Sequence, residues 1–215
     1  MERPRLAADF FLIAHDEFSG KPRISAVLLA CGLAGAQLAE LVMDGRIIVE
    51  SGRLLATDAW GDGGDEVATY VVQTIRQQSS THSVRVWVET LVEMLPELVA
   101  RQLIVDGVVR REEGGRQLMR RRPDRFPATD LLAAARPRLR LEHMLRTPQE
   151  FDLSGAVLAV LVGVLGVEPT LDPNIDRAET RELINRLRTH LPSDLQNLIE
   201  GVEAAVAAAS LTVRR

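Results

Sequence analysis

The sequence predicts a mainly α-helical protein, a compact helical bundle that forms one domain over residues 1–215 and carries two short β-hairpins, the second protruding. Three observations lead to this prediction. Hydrophobic residues make up 46% of the chain but aromatic residues only 4%, so that leucine, valine, isoleucine and alanine must build the core, which favours helix packing. Long segments repeat their apolar residues at helical spacing. Segments with strand character are short and lie in pairs around glycine.

Helical segments account for most of the chain. Pro96 starts a new helix or kinks an existing one, and Pro137 interrupts or bends another. Residues 147–150 have the spacing of a capping box, and Asp172 with Pro173 is predicted as the N-cap and first residue of a helix. The predicted helices cover residues 6–15, 24–44, 65–78, 84–105, 130–145, 154–165 (the most buried one), 172 to about 190, and 194–209.

The first hairpin follows a helix that ends at Asp44-Gly45. It is predicted to pair residues 46–50 with 53–57 around Ser51-Gly52. The Asp-Gly stop returns at Asp106-Gly107 in a similar stretch, again ahead of a hairpin. This similarity indicates either a convenient helix stop used twice or a duplicated unit with related packing.

The second hairpin is predicted to pair residues 108–111 with 117–120 around Gly114-Gly115, and a loop over residues 121–128 follows. Positive charge is concentrated here. Residues 106–146 contain eleven arginines and six acidic residues, a net charge of +5, and since the whole chain carries -4, the remainder carries -9. This asymmetry indicates an anionic partner, although a solvated arginine-rich loop has the same composition.

Two apolar residues, Leu118 and Met119, lie among these arginines, a combination that suits a membrane interface. The candidate lipid-binding residues are therefore Arg110, Arg111, Arg116, Leu118, Met119, Arg120, Arg121 and Arg122.

Signatures of enzymes and metal sites are absent from the sequence. It has no P-loop, no nucleophile-elbow motif and no H-E-x-x-H, and its four histidines are widely spaced. The single cysteine, Cys31, excludes a disulfide framework and a Cys-based zinc site. Asp172, Asn174 and Asp176 resemble the start of a calcium loop, but Arg177 occupies the position that requires glycine. We expect no catalytic residue, no metal and no cofactor.

No targeting or membrane-spanning segment is expected. The N-terminal residues lack the pattern of a signal peptide. The longest apolar run, residues 153–167, is shorter than the roughly 20 residues of a bilayer span and is predicted to be a buried helix. These features predict a cytoplasmic protein.

Residues 32–47, GLAGAQLAELVMDGRI, resemble the segment G-L-x-G-x-x-L-x-E-L-x-x-x-G-R-I of the Golgi phosphoprotein 3 family, which also has bacterial members. Residues 84–90 and 99–107 resemble two further family segments, and weaker similarity runs through residues 156–167 and 177–178. The chain therefore resembles a bacterial member of this family over nearly its whole length.

The resemblance implies a mostly helical single domain with a protruding hairpin, and a peripheral membrane protein that is not an enzyme. Eukaryotic members bind phosphatidylinositol 4-phosphate and act as adaptors for the tails of membrane glycosyltransferases. The family's headgroup-binding Trp and Arg on the second helix align with Ser25 and Ala34, and two further arginines align with Glu93 and Pro96. The resemblance therefore does not carry over selectivity for that phosphoinositide.

The leading hypothesis is a non-enzymatic protein, peripherally associated with a membrane, that binds anionic or phosphoinositide-type lipid headgroups. Membrane-protein tails are further candidate partners. The alternative is a winged-helix-like DNA-binding regulator with the second hairpin as its wing. A pI of about 5.7 and the residues Glu89, Glu93 and Glu97 on the preceding helix argue against nucleic acid. A third hypothesis is self-association, in which the arginines pair with acidic helices of a neighbouring copy.

Overall fold

The structure is a computed structural model that describes residues 5–58, 65–78, 81–117, 120–121, 123–171 and 176–212. Nine α-helices and two small antiparallel sheets within these residues confirm the predicted mainly α fold. The elements are α1 (Leu6–Ile13), α2 (Ala26–Met43), β1 (Ile47–Glu50), β2 (Arg53–Ala56), α3 (Glu66–Gln77), α4 (Val84–Leu91), α5 (Leu95–Val105), β3 (Arg116–Gln117), β4 (Arg120–Arg121), α6 (Leu131–Arg146), α7 (Leu153–Val164), α8 (Arg177–His190) and α9 (Ser193–Thr212).

Helix α2 is the centre of the fold and packs against α1, α4, α5, α7 and α9. Its glycines allow this close packing, since a Cβ at Gly32 would lie 2.3 Å from the Phe10 ring and one at Gly35 would lie 2.9 Å from the Val202 side chain. By length and composition alone α2 could cross a membrane, but 72% of it is buried inside the protein. Its apolar character is that of a core helix.

The apolar helix α7 is also buried along most of its length, as the sequence predicts. Pro96 lies in the first turn of α5, after α4 has ended at Leu91, which confirms the prediction of a second helix. Helix α6 continues through Pro137, so of the two predicted effects, an interruption or a bend, the interruption does not occur. The flanking turns of α6 provide enough packing and hydrogen bonds to tolerate one missing N–H.

One predicted helix start is wrong, and another lies on residues that the structure does not describe. Residues 147–150 form a 3-10 turn without a side-chain cap, and Asp152 caps α7 instead, because its carboxylate accepts the Gly155 N–H at 2.8 Å. The predicted N-cap and N1 pair at residues 172–173 lies outside the described residues. Helix α8 begins at Arg177, and its cap is Asp176, which accepts two backbone N–H groups.

Both Asp-Gly stops end a helix in the same way. Gly45 has φ +67°, and the Arg46 N–H donates to the carbonyl of Leu41 at 2.9 Å. Gly107 has φ +72° at the end of α5 and is followed by the equivalent bond. Such a turn needs the left-handed conformation that glycine adopts without strain.

The first hairpin is confirmed, with β1 and β2 paired from Ile47 opposite Ala56 to Glu50 opposite Arg53. Ser51 and Gly52 both have positive φ, as a type I′ turn requires. Ile47 and Leu54 are buried in the core, so this hairpin belongs to the body of the fold. The two Asp-Gly stops therefore share a cap but feed hairpins with different surroundings, which favours a stop used twice.

Candidate functional site

The second hairpin is a single ribbon that keeps one register from its base to its tip. In each of the four described pairs the two residue numbers add up to the same value, so these pairs belong to one antiparallel register. The paired residues are Val109 with Ala128, Glu112 with Arg125, Arg116 with Arg121, and Gln117 with Arg120.

The predicted pairing of residues 108–111 with 117–120 is therefore wrong, and so is the predicted loop over 121–128, which contains most of the returning arm. The glycine pair that suggested a turn lies within the outgoing arm. The Gly114 N–H donates to the Asp124 carboxylate at 3.1 Å, across the ribbon. At about 3.3 Å per residue, an arm from Val109 to Gln117 reaches roughly 30 Å.

Charge is divided along the ribbon. The arms contain three acidic residues, Glu112, Glu113 and Asp124. The segment between them, residues 114–123, contains four arginines and no acidic residue. We call residues 114–123 the hairpin tip. The sequence thus concentrates positive charge between the two described arms, a distribution that favours an anionic partner.

The structure places the eight candidate residues in three groups. Arg110 and Arg111 lie on the outgoing arm, near its base. The backbones of Arg116, Arg120 and Arg121 form the paired strands β3 and β4. Leu118, Met119 and Arg122 lie outside the described residues.

Arg110 and Arg111 both have acidic partners within the protein. Arg110 Nη2 lies 2.7 Å from Glu112 Oε1. Arg111 Nη2 lies 2.5 Å from Glu97 Oε2 on α5, and its guanidinium stands 5.5 Å from the centre of the Phe126 ring. The hydrogen bond to Glu97 raises the pKa of Arg111 above its ordinary value. Arg111 thus ties the hairpin to the body of the protein.

We expect the change Arg111→Ala to lower the free energy of unfolding by about 1 kcal/mol, because it removes a partly exposed ion pair and a cation–π contact. It should weaken binding to anionic vesicles less than the loss of a tip arginine does. Chemical denaturation and vesicle co-sedimentation measure the two effects. Arg110→Ala is the control, since its only described partner is Glu112 on the same arm. Equal stability of the two variants would contradict the role of Arg111 as a tie.

The base of the hairpin is fixed to the segment that follows α1. The Phe126 N–H donates to the carbonyl of Gly20, and the Ala128 N–H donates to the carbonyl of Glu17, both at 2.9 Å. Gly20 has φ +64°, and a Cβ there would lie 2.1 Å from the backbone nitrogen of Pro127. Only glycine allows the two backbones to approach this closely.

An aromatic cluster lies under this junction. The rings of Phe11 and His15 stack at a centroid distance of 4.0 Å, and Phe126 meets Phe11 edge-on at 5.4 Å. Burial lowers the pKa of His15 to about 4, so that the ring is neutral and packs as a flat apolar group. The ring contacts and the backbone hydrogen bonds together attach the base of the hairpin to α1 and the segment after it.

Helix α6 presents a second cationic and apolar surface that the sequence pattern did not reveal. Its outward positions alternate in spacing between four and three residues and form one stripe. We call this stripe the outward face of α6; it consists of Leu132, Arg136, Leu139, His143 and Arg146. The spacing of these residues can be read from the sequence. However, Leu141 and Leu145 of the same helix are buried, and the sequence alone does not say which leucines face water.

A model of the Golgi phosphoprotein 3 (GPP34) family matches residues 6–209 of this chain. The chain belongs to the Golgi phosphoprotein 3 family. The match begins at α1 and ends within α9, and it therefore includes the central helix α2, the second hairpin and α6. A search of curated proteins found no match.

Of the four positions that align with the headgroup-binding residues of the Golgi phosphoprotein 3 family, three have structural roles in this chain. Ser25 is the N-cap of α2, where its hydroxyl accepts the Leu28 N–H. Ala34 is fully buried in the core, and Pro96 starts α5. Glu93 is exposed but acidic. None of the four supplies a cation to an anionic headgroup. Among the described residues, no group of three or more His, Cys, Asp or Glu side chains could hold a metal ion.

Proposed function

We propose that this member of the Golgi phosphoprotein 3 family is a non-enzymatic, cytoplasmic protein that binds anionic lipid headgroups, phosphoinositides among them, at a membrane surface through its hairpin tip. The observation that supports the proposal is the single register of the described arms, between which the sequence has four arginines, two large apolar residues and no acidic residue. Family membership supports the same function.

The charges of the two arms favour the tip as the contact surface. Arg110 and Arg111 pair with Glu112 and Glu97, whereas the tip contains no acidic residue that could do the same within its own segment. Each arginine near an anionic surface contributes about 1 kcal/mol, so several must act together. Leu118 and Met119 would add apolar contact with the acyl boundary, and salt should weaken the arginine contribution.

The adaptor role of eukaryotic members suggests membrane-protein tails as further partners of this chain. Headgroup selectivity is a separate matter. Because Ser25, Ala34, Glu93 and Pro96 provide no cation, we propose that net negative charge, not the identity of the headgroup, governs binding. The protein should then prefer phosphatidylinositol 4-phosphate only as far as its charge explains.

Two double variants of the full chain test the proposal by co-sedimentation with phosphatidylcholine vesicles that contain phosphatidylglycerol. We expect Arg120→Glu with Arg121→Glu to bind at least about thirtyfold more weakly, since two favourable charges become repulsive. Leu118→Ser with Met119→Ser should also weaken binding, with less dependence on salt. The matched control is Arg177→Glu with Arg186→Glu, the same charge change on exposed positions of α8.

The alternative functions give different results. A DNA-binding protein would lose affinity for duplex DNA on charge reversal but keep it in the serine variant, because phosphates offer no apolar phase. If the tip serves only self-association, the tip variants should differ from the native protein in sedimentation without vesicles, and none of these proteins should bind vesicles. Intact protein that ignores anionic vesicles at low salt would overturn the proposal.

A further inference from the structure

The outward face of α6 exposes large apolar side chains that nothing else in the described structure covers. Leu132 is 78% exposed and Leu139 is 49% exposed, seven residues apart on the same side of the helix. Arg136 lies between them. Two exposed leucines with an arginine between them form one mixed apolar and cationic stripe, the combination that suits a helix at a membrane interface.

The charge of this face is positive. Residues 131–146 contain four arginines and a single acidic residue, Glu142. That glutamate is buried and lies 2.9 Å from Arg138, so it does not offset the charge of the exposed arginines. Towards the C-terminal end of α6, Arg140 pairs with Asp152 and His143 with Glu150. The N-terminal half, with Leu132, Arg136 and Leu139, is thus the part best suited to an anionic partner.

Helix α6 and the base of the second hairpin are joined by backbone hydrogen bonds. The N–H groups of Thr129 and Asp130 donate to the carbonyl of Val108 at the foot of the outgoing arm, and Asp130 caps α6. The neighbouring loop joins them through Glu17, which lies 2.9 Å from Arg138. Phe18 in that loop is 73% exposed. Exposed apolar side chains therefore come from two segments that meet at the foot of the cationic hairpin.

We infer that the outward face of α6 is a second membrane-contact surface, which lies against an anionic lipid bilayer and acts together with the hairpin tip. This inference rests on the proposed function. A second copy of the chain fits the face less well, because a two-fold contact would set Arg136 and its neighbours against like charges. Two exposed leucines also offer far less apolar area than a stable dimer interface requires. An anionic bilayer accepts both kinds of side chain, since leucine enters the acyl boundary while arginine meets the headgroups.

The double variant Leu132→Ser with Leu139→Ser tests the inference in the full chain. We expect it to bind phosphatidylcholine vesicles that contain phosphatidylglycerol about tenfold more weakly than the native protein, with its hairpin unchanged. The matched control is Val105→Ser with Leu211→Ser, which removes apolar side chains that are 76% and 68% exposed on α5 and α9. Because all four positions are exposed, each variant should keep the native circular dichroism spectrum and melting temperature.

An environment-sensitive fluorophore gives a direct reading of contact. Leu132→Cys provides a labelling site, with Leu211→Cys as its control, and the native Cys31 is only 3% exposed and should stay unlabelled. On anionic vesicles the emission at position 132 should shift to the blue, while position 211 should not respond. A label on the hairpin tip that responds while position 132 stays silent would overturn the inference and leave the proposed function intact.

Two other outcomes are equally clear. If the native protein and every labelled variant ignore the vesicles, the proposed function itself fails. If position 132 shifts with protein concentration in the absence of lipid, the face mediates self-association, and the membrane assignment is wrong.

Discussion

The change Gly20→Ala should lower the free energy of unfolding by about 3 kcal/mol or more, roughly a 10 °C drop in Tm for a protein of this size. The added methyl group would lie 2.1 Å from the Pro127 nitrogen and 2.4 Å from the backbone of Phe126. Backbone cannot move aside as the end of a flexible side chain does, so the loop and the hairpin must separate. The φ of +64° adds the strain of a left-handed alanine.

Gly107→Ala is the matched control for this experiment. Gly107 has φ +72°, but no atom lies within 4 Å of where its Cβ would be. Its substitution should therefore cost only the backbone strain, about 1 kcal/mol. Differential scanning calorimetry of both variants separates strain from overlap. Equal losses at the two positions would show that the junction between Gly20 and the hairpin is looser than the structure describes.

The change Gly20→Ala should also destabilise the base of the second hairpin. The bonds that Phe126 and Ala128 donate to the carbonyls of Gly20 and Glu17 hold the returning arm in place. Once they break, amide hydrogen exchange at these two residues should accelerate in the Gly20 variant while the core of α2 stays protected. Unchanged protection at the hairpin base would contradict this account.

The second large effect is a pH-dependent gain in stability from the change Glu40→Gln. Glu40 is 7% exposed on α2, and burial, reinforced by the nearby charge of Asp65, raises its pKa from 4.5 to about 8. The folded protein therefore holds a proton on Glu40 at neutral pH that the unfolded chain releases. Folding loses stability as pH rises from 4.5 towards 8, and above that value the loss is complete, on the order of a few kcal/mol.

Glutamine keeps the shape of the protonated carboxyl group and cannot ionise. The variant should match the native protein below pH 4.5 and become progressively more stable than it up to about pH 8. Urea denaturation across this range measures the difference between the two proteins, which removes the effects of Asp9 and His15, whose pKa values are also shifted by burial. Glu182→Gln on the exposed side of α8 is the control. A difference that stays constant with pH would mean that Glu40 is ionised in the folded state.

The sequence was a good guide wherever a local rule decided the structure. The Asp-Gly stops at residues 44–45 and 106–107 end their helices because only glycine enters the left-handed region without strain. The type I′ turn at Ser51 and Gly52 follows from the same property. Helix content, the first hairpin, the existence of a second one and the resemblance to the Golgi phosphoprotein 3 family were likewise predicted from the sequence, since they depend on periodicity and on short motifs.

Local rules were insufficient wherever contacts with other segments of the chain decide the structure of a residue. Gly114 and Gly115 have the composition of a turn, but the pairing of Glu112 with Arg125 places them inside an arm. The capping box at residues 147–150 has correct spacing, yet Asp152 takes the cap. In both places the alternative differs by a few hydrogen bonds, which tertiary contacts outweigh.

The sequence by itself determined that this protein is helical, that its positive charge collects around one hairpin and that it resembles the Golgi phosphoprotein 3 family. Only the tertiary structure decided which arginines have acidic partners within the protein, since Arg111 pairs with Glu97 fourteen residues earlier in the chain. It also decided that Gly20 is the foot of the hairpin and that Leu132 and Leu139 face outward, whereas Leu141 is buried. The reason is physical: burial and ion pairing depend on segments far apart in the chain, and a local pattern contains no information about what packs against it.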